Sequence, residues 1–220
     1  MEQRMKILVL SGVKCTKKIW EKIAPFLEHF DTEYIEYSHE VTERIRDVKE
    51  LTQWVYENCK AKSYEMVIGH SLGGLIALQL CRDYSVSFEK IICLDTNFRP
   101  AGEYYRNLMT KANMEQYGSF IQDMFEEESK YYNEKFFEQL RCDFDYTNYI
   151  NNSMTEIYAL YGDRGNPEYD RKIEDLNLEE ETLNQLHIRF VENACHMIMI
   201  ENPEKLETII KEIIEHGKED

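Results

Sequence analysis

The sequence predicts an α/β protein built on a doubly wound parallel sheet. Short apolar runs alternate along its 220 residues with longer amphipathic stretches, which is the rhythm of strand–helix–strand units. Helices cover both faces of a parallel sheet, so its strands are expected to be largely apolar. The runs interpreted as strands are Lys6–Leu10, Thr32–Tyr37, Glu65–Ile68, Lys90–Leu94, Glu156–Tyr161 and His187–Val191.

Helical patterns fill most intervals between these strands. Helices are predicted over Lys18–His29, Leu72–Tyr84 and a stretch from Thr42 to about Cys59, in which the apolar residues share one helical face. A closing helix is predicted over Pro203–Glu215, because proline is favoured in the first turn of a helix.

One segment departs from this alternation. Between Arg99 and Ser153 there is no strand-like apolar run, and the segment contains helical patterns crowded with aromatic residues. It is interpreted as a helical insert after the Lys90–Leu94 strand. The predicted core is therefore formed by residues 1–98 and 154–220, and the insert by residues 99–153.

Charge and composition exclude several classes of function. The net charge of −16 disfavours binding to nucleic acid or to anionic membrane surfaces. No apolar run reaches about 18 residues, and the N-terminal apolar run is too short for a signal peptide. The 6 cysteines are scattered without a CxxC pair, which favours reduced thiols and a cytoplasmic location.

A serine motif stands where a strand passes into a helix. The sequence Gly69-His70-Ser71-Leu72-Gly73-Gly74 has the G-x-S-x-G spacing, in which glycines remove the side chains that would clash around a sharply turned serine. The helix that follows would aim the Leu72 N–H at a developing oxyanion. A phosphate-binding loop is excluded because the G-x-x-x-x-G-K-[ST] pattern is absent. Ser71 is therefore the predicted nucleophile.

The predicted base is His196, which follows the last strand at the same sheet edge as Ser71. The predicted acid is Asp163, which also follows a strand and lies between the serine and the histidine in sequence. Asp95, directly after the Lys90–Leu94 strand, is the alternative acid. His70 adjoins the serine and is expected to point elsewhere. The second oxyanion donor is predicted to be the Val13 N–H, in the loop after the first strand.

These stretches, in this order, resemble the α/β-hydrolase superfamily, and in particular its small capped bacterial esterase and lyase-like members. The resemblance rests on Lys6–Val13, Gly69–Gly74, Ile91–Pro100, Tyr158–Gly165 and Cys195–Pro203. It implies a Ser71–Asp163–His196 triad and a helical cap over residues 99–153. The chain begins at what resembles the third strand of that fold, so the leading antiparallel hairpin is expected to be missing and about six strands, all parallel, are expected.

The predicted function is hydrolysis of a carboxylic ester or thioester with a small to medium acyl group, through an acyl-enzyme on Ser71. One alternative is a lyase or carbon–carbon bond hydrolase with the same triad, which an arginine or tyrosine cluster in the pocket would favour. Another is a ligand-binding protein with little turnover. The cations considered for an anionic substrate are Arg99, Arg106 and Arg164. No cofactor and no metal are predicted. The expected partner is a small molecule, and the chain is expected to be a monomer or a homodimer.

Overall fold

The chain folds around a six-stranded parallel sheet with the strand order β2-β1-β3-β4-β5-β6. The computed structural model describes residues 4–141 and 144–215. Every neighbouring pair of strands in this part of the chain is parallel, so the expected all-parallel sheet is confirmed. The strands are β1 Lys6–Leu10, β2 Asp31–Ile35, β3 Met66–His70, β4 Lys90–Leu94, β5 Glu156–Gly162 and β6 Leu186–Val191.

The strand order determines where a ligand can bind. The chain moves from β1 outward to β2, then crosses back so that β3 pairs with the other side of β1. In open α/β sheets the crevice at such a reversal lies outside the carboxyl ends of the strands and is the usual ligand site. The loop after β1 and the turn after β3 both open at this crevice, and they carry Val13 and Ser71.

Helices cover both faces of the sheet. Ile7 and Val9 belong to the core on one face, with apolar residues of the closing helix, whereas Leu8 and Leu10 belong to the core on the other. The helices are α1 Ala24–Leu27, α2 His39–Thr42, α3 Val48–Cys59, α4 Leu72–Tyr84, α5 Lys111–Ser129, α6 Glu134–Arg141, α7 Thr147–Asn151, α8 Glu180–Leu183, α9 Ile198–Glu201 and α10 Pro203–Glu215, with 3-10 turns at Lys17–Trp20, Glu103–Arg106 and Glu174–Leu176.

Two predicted helices are each divided in the structure. The helix expected from Thr42 to Cys59 begins only at Val48, because the Asp47 carboxylate caps it by accepting from the Glu50 N–H at 2.8 Å. The helix expected over Lys18–His29 is a 3-10 turn followed by α1, in which Pro25 occupies the first turn. Proline has no N–H to continue a preceding helix, which accounts for the break.

The insert between β4 and β5 contains α5, α6 and α7. Thr110 caps α5 by accepting from the Asn113 N–H at 3.3 Å. The insert is attached to the loop after β1, since the Lys14 N–H donates to the Tyr132 hydroxyl at 3.2 Å. It also contacts α2, where the Asn133 N–H donates to the Thr42 carbonyl at 3.0 Å. Within residues 4–141 and 144–215, no helix has the length and apolar character needed to cross a membrane.

Helix α4 lies close to β1 because Gly73 has no side chain. A Cβ atom at Gly73 would lie 2.3 Å from the carbonyl oxygen of Leu10, which belongs to the backbone of a central strand and cannot move aside. By contrast, a Cβ atom at Gly118 in α5 would meet the flexible Met114 side chain.

We predict that Gly73→Ala lowers the free energy of unfolding by about 3 kcal/mol or more, the upper end of the cost of overpacking a core. Gly118→Ala is the matched control, and its free energy of unfolding is expected to stay within about 1 kcal/mol of wild type, since alanine is the better helix former. Urea denaturation followed by circular dichroism measures both. Equal stability of the two variants would contradict the prediction.

Candidate active site

Ser71 occupies a sharp turn between β3 and α4. Its backbone angles are φ 51° and ψ −115°, a conformation that a residue with a side chain adopts only when its surroundings impose it. Three hydrogen bonds hold the turn: the Ser71 N–H donates to Leu94 at 2.9 Å, and the Ser71 carbonyl accepts from the Gly74 N–H at 3.0 Å and the Thr96 hydroxyl at 2.9 Å. A Cβ atom at Gly69 would lie 2.4 Å from the backbone of Gly73, so the turn also requires glycine there.

His196 lies after β6 and is paired with Asp95. Its Nδ1 atom lies 2.8 Å from Asp95 Oδ2, and its backbone N–H donates to the Leu108 carbonyl at 3.0 Å. Asp95 directly follows β4 with a positive φ of 44°, and its side chain is 1% exposed. Because an ionised carboxylate only accepts hydrogen bonds, this contact assigns a proton to Nδ1, and in the neutral tautomer of the ring the lone pair is then on Nε2.

Asp163 does not contact His196 in this arrangement, contrary to the expected pairing. Its Oδ1 atom accepts from the Gly165 N–H at 2.8 Å and from the Asn193 N–H at 2.7 Å. The carboxylate therefore closes its own turn and ties the loop after β5 to the loop after β6. The acid that the structure places against His196 is the alternative, Asp95.

Arg164 binds the Asp95 carboxylate in a buried, bidentate ion pair. Its Nη1 lies 2.6 Å from Asp95 Oδ1 and its Nη2 lies 2.7 Å from Oδ2, and the Arg164 side chain is 2% exposed. The guanidinium also lies over the Tyr105 ring, at 4.7 Å from the ring centroid. A positive φ of 55° at Arg164 turns the chain just after Asp163. From the sequence, Arg164 is considered only as a cation for an anionic substrate, and its contact with Asp95 is not predicted.

The Asp95 carboxyl stays ionised despite its burial. Burial by itself raises the pKa of Asp95, but the Arg164 charge and the hydrogen bonds from His196 and Arg164 outweigh it and lower the pKa to about 2. The other two cations considered for an anionic substrate are paired on the surface: Arg99 with Asp145 and Glu179, and Arg106 with Glu103.

His70 supports the loop of His196 rather than pointing away from it. It is fully buried, and its Nε2 lies 3.0 Å from the His196 carbonyl oxygen, with the two rings 4.7 Å apart. Burial, and then the nearby His196, lower the pKa of His70 to about 3. His70 is therefore neutral, and its Nε2–H donates to the carbonyl of His196.

The loop after β1 lies against the serine turn. A Cβ atom at Gly12 would lie 3.2 Å from the Ser71 Cβ, which shows how closely the two segments approach. The Trp20 indole N–H donates to the Ser11 hydroxyl at 2.9 Å, and the Tyr37 hydroxyl donates to the Ser11 carbonyl at 2.8 Å, so the loop is held on both sides. Leu72 is the first residue of α4, and its N–H has no acceptor within its own helix.

Two cavities share Ser71 and His196 in their walls. The inner cavity, about 190 Å³, is lined among others by Leu72, Leu75, Asn97, Gln139, Phe144 and Tyr146. The outer cavity, about 320 Å³, is lined among others by Lys14, Cys15, His70, Leu108, Phe125 and Phe137. Val13 and Leu140 belong to both walls. A substrate that reaches Ser71 can thus place one group in each cavity.

The thiols near the site are poor nucleophiles. Burial raises the pKa of Cys15 to about 12, and burial together with Glu201 raises the pKa of Cys195 to about 12. Within the described ranges, no three His, Cys, Asp or Glu side chains are grouped so that they could hold a metal ion. Ser71, His196 and Asp95 are the candidate catalytic residues that the structure brings together.

Known proteins share the fold of this chain. The profile of the Esterase family, described as "Putative esterase", matches residues 8–198. Among solved structures, the chain is similar to Est816, an N-acyl homoserine lactone degrading enzyme (13% identity, 94% of this chain and 92% of that chain, TM-score 0.72). It is also similar to a thermophilic esterase from Thermogutta terrifontis (15%, 97% and 90%, 0.70) and an enol-lactonase from Burkholderia xenovorans LB400 (14%, 96% and 92%, 0.69). No curated protein matches.

We predict that Arg164→Met lowers the free energy of unfolding at pH 7 by about 3–5 kcal/mol, the usual cost of leaving one partner of a buried ion pair alone. Because the pKa of Asp95 is lowered, the pair stabilises the fold above the ordinary carboxyl pKa of 3.8, and this contribution is lost as the pH falls through about 2. In the variant that lacks Arg164, burial raises the pKa of Asp95, so the Asp95 carboxyl takes up its proton at a higher pH. The gap between variant and wild type should therefore narrow on acidification.

Arg171→Met is the matched control for urea denaturation at each pH. Arg171 pairs with Glu174 on the surface, where its side chain is 62% exposed, and its loss should leave the free energy of unfolding close to that of the wild type. A similar loss for both variants at pH 7, or a gap for Arg164→Met that widens in acid, would contradict the interpretation.

Proposed function

This chain belongs to the Esterase family and is a carboxylic ester hydrolase with the α/β-hydrolase fold, and from that premise we propose that it works through an acyl-enzyme formed on Ser71. The observation that carries the proposal is the shared cavity wall of Ser71 and His196, with His196 held by the buried Asp95. The strained turn presents the Ser71 side chain at the crevice where the strand order reverses.

In the proposed reaction the Ser71 oxygen attacks the ester carbonyl carbon while Nε2 of His196 takes the hydroxyl proton. The N–H groups of Leu72 and Val13 donate to the oxyanion that develops on the carbonyl oxygen. His196 then gives its proton to the departing alcohol or thiol, and the acyl group stays on Ser71. A water molecule, deprotonated by His196, attacks the acyl-enzyme, and the carboxylic acid leaves as Ser71 regains its proton.

We assign the acid of this triad to Asp95 rather than Asp163. Asp95 accepts a hydrogen bond from the Nδ1–H of His196 and fixes the orientation of the ring, while its negative charge favours the imidazolium that forms during attack. The Arg164 guanidinium partly opposes that second effect, because it neutralises the carboxylate. Orientation of the ring is therefore the main contribution of Asp95 in this protein.

The proposed substrate is an ester or thioester with a small to medium acyl group. An acyl group stays covalently bound while the alcohol departs, so the inner cavity, with walls that are buried or partly buried, suits the acyl group. The outer cavity suits the leaving group, because its wall includes Leu108, which is 41% exposed. Residues 99–153 are proposed to act as the cap, since the insert supplies Gln139, Leu140 and Phe144 to the inner wall.

The alternative of a lyase or carbon–carbon bond hydrolase would be favoured by an arginine or tyrosine cluster in the pocket. Arg164 does lie beside Tyr104 and Tyr105, but its guanidinium is bound to Asp95, and none of these three residues lines either cavity. Ester hydrolysis therefore remains the better supported chemistry. The cytoplasmic location and the monomeric or homodimeric state stay predictions from the sequence.

We predict that a fluorophosphonate probe adds one adduct to the wild-type protein and none to Ser71→Ala, because only a serine activated by a base reacts with it. Intact-mass spectrometry measures the adduct. Ser63→Ala, at an exposed serine, is the matched control and should label as the wild type does. An unlabelled but folded wild type would refute the activated serine, and labelling without turnover of p-nitrophenyl esters would favour the lyase alternative.

We predict that Asp95→Asn lowers kcat/KM for a p-nitrophenyl ester by about 10³–10⁴-fold, since an amide no longer fixes the working tautomer of His196. Asp163→Asn is the matched comparison. It should change kcat/KM by less than about tenfold, because the amide oxygen of asparagine can accept the same two backbone N–H groups. Steady-state kinetics below the melting temperature of both variants tests this, and the reverse order would return the role to Asp163.

A further inference from the structure

Two residues that line the inner cavity, Asn97 and Gln139, carry buried acceptors that no group in the described structure satisfies. The side-chain oxygens Oδ1 of Asn97 and Oε1 of Gln139 are inaccessible to solvent and have no hydrogen-bond partner. Both residues line the cavity that also holds Ser71 and His196. Buried polar atoms in folded proteins are nearly always hydrogen-bonded, so an unpaired pair in one cavity calls for an explanation.

The two acceptors come from separate parts of the fold. Asn97 lies two residues after Asp95 on the loop that leaves β4, whereas Gln139 lies on α6 of the insert. A buried oxygen without a hydrogen-bond donor lowers the stability of the fold by about as much as the loss of one hydrogen bond. A molecule bound in this cavity would explain both unpaired oxygens if it supplies the missing hydrogen-bond donors.

The remaining wall limits what that molecule can be. Leu72, Leu75, Leu140 and Phe144 make much of the inner wall apolar, and none of the described residues lining it is a lysine or arginine. A carboxylate or phosphate on the acyl group would find no cation there. Carbonyl oxygens accept hydrogen bonds from hydroxyl and amide N–H groups, which an otherwise apolar acyl chain can carry.

We propose that the acyl group accepted by the inner cavity carries a hydrogen-bond donor, either a hydroxyl or an amide N–H, that binds Asn97 and Gln139. This inference rests on the proposed acyl-enzyme function and adds its substrate class: hydroxyacyl or acylamino-acyl esters rather than plain alkanoyl esters. A site built to hydrogen-bond a substrate group discriminates strongly against the analogue that lacks it, because its own polar atoms are then left unpaired.

The test uses two pairs of p-nitrophenyl esters that differ mainly in the donor. One pair is the 3-hydroxybutyrate, as each enantiomer, and the butyrate. The other is the N-acetylglycinate and the 4-oxopentanoate, which replaces the N–H by a methylene and keeps the carbonyl. The ratio of kcat/KM within a pair, corrected for spontaneous hydrolysis, is the readout for wild type and variants.

For at least one pair, the ratio in the wild type is expected to exceed the ratio in Asn97→Leu and in Gln139→Met by about tenfold or more, which corresponds to about 1.4 kcal/mol. These substitutions keep the side-chain size while removing the acceptor, and comparing ratios cancels the intrinsic reactivity of each ester. Gln122→Met, at an exposed position on α5, is the matched control and should keep the wild-type ratio.

The outcomes separate this inference from the function on which it rests. Ser71-dependent turnover with equal ratios in the wild type and both variants overturns the donor proposal and leaves the esterase mechanism in place. Absence of Ser71-dependent turnover of every ester overturns both. If one of the two variants fails to fold, the other variant still gives the ratio that tests the proposal.

Discussion

The arrangement at the carboxyl edge of the sheet depends on the buried carboxylate of Asp95. It accepts two hydrogen bonds from Arg164, one from His196 and one from the Gly162 N–H at 3.2 Å. These groups follow or end β5 and β6, while Asp95 itself follows β4, so one side chain links three consecutive segments of the edge. A single buried charge of this kind is costly unless every lone pair is used, and here the cation and the donors satisfy it.

The position of the serine follows from a second constraint, the close packing of α4 on the sheet. Because Gly69 and Gly73 allow the helix to begin almost in contact with β1 and β3, Ser71 is forced into a positive φ and its side chain projects into the crevice. Two hydrogen bonds hold the strained turn. The Thr96 hydroxyl donates to the Ser71 carbonyl, and the Ser71 N–H donates to the carbonyl of Leu94, the last residue of β4. Ser71 and Asp95 are thus anchored to neighbouring strands, and His70, the residue before Ser71, links the serine turn to the loop of His196.

Much of this could be predicted from the sequence, because strand–helix alternation and the glycine spacing around Ser71 depend on local chemistry. The choice between Asp163 and Asp95 could not. Both follow a strand at the same edge, and the decision depends on which way each carboxylate points. In the turn after β5, Asp163 accepts from the backbone N–H groups of Gly165 and Asn193. The same turn directs Arg164 to Asp95, a pairing between residues 69 positions apart that no local pattern reveals. The breaks in the helices at Pro25 and Asp47 are predictable from local sequence, because proline lacks an N–H and an aspartate can cap the start of a helix.

We propose that the core carries the catalytic residues and that the insert determines which acyl group fits, because these residues lie on different elements. Ser71, Asp95 and His196 follow strands of the core, and the proposed oxyanion donors, Val13 and Leu72, lie beside them in the loop after β1 and at the start of α4. Gln139, Leu140 and Phe144 lie on the insert and contribute to the wall of the inner cavity. A change in α6 can therefore alter which acyl group fits without moving the reacting atoms, whereas a change at Asn97 acts two residues from Asp95 and is coupled to the triad. A substitution of Gln139 should therefore change the preference among acyl groups without changing the rate of the chemical step. A substitution of Asn97 should change both.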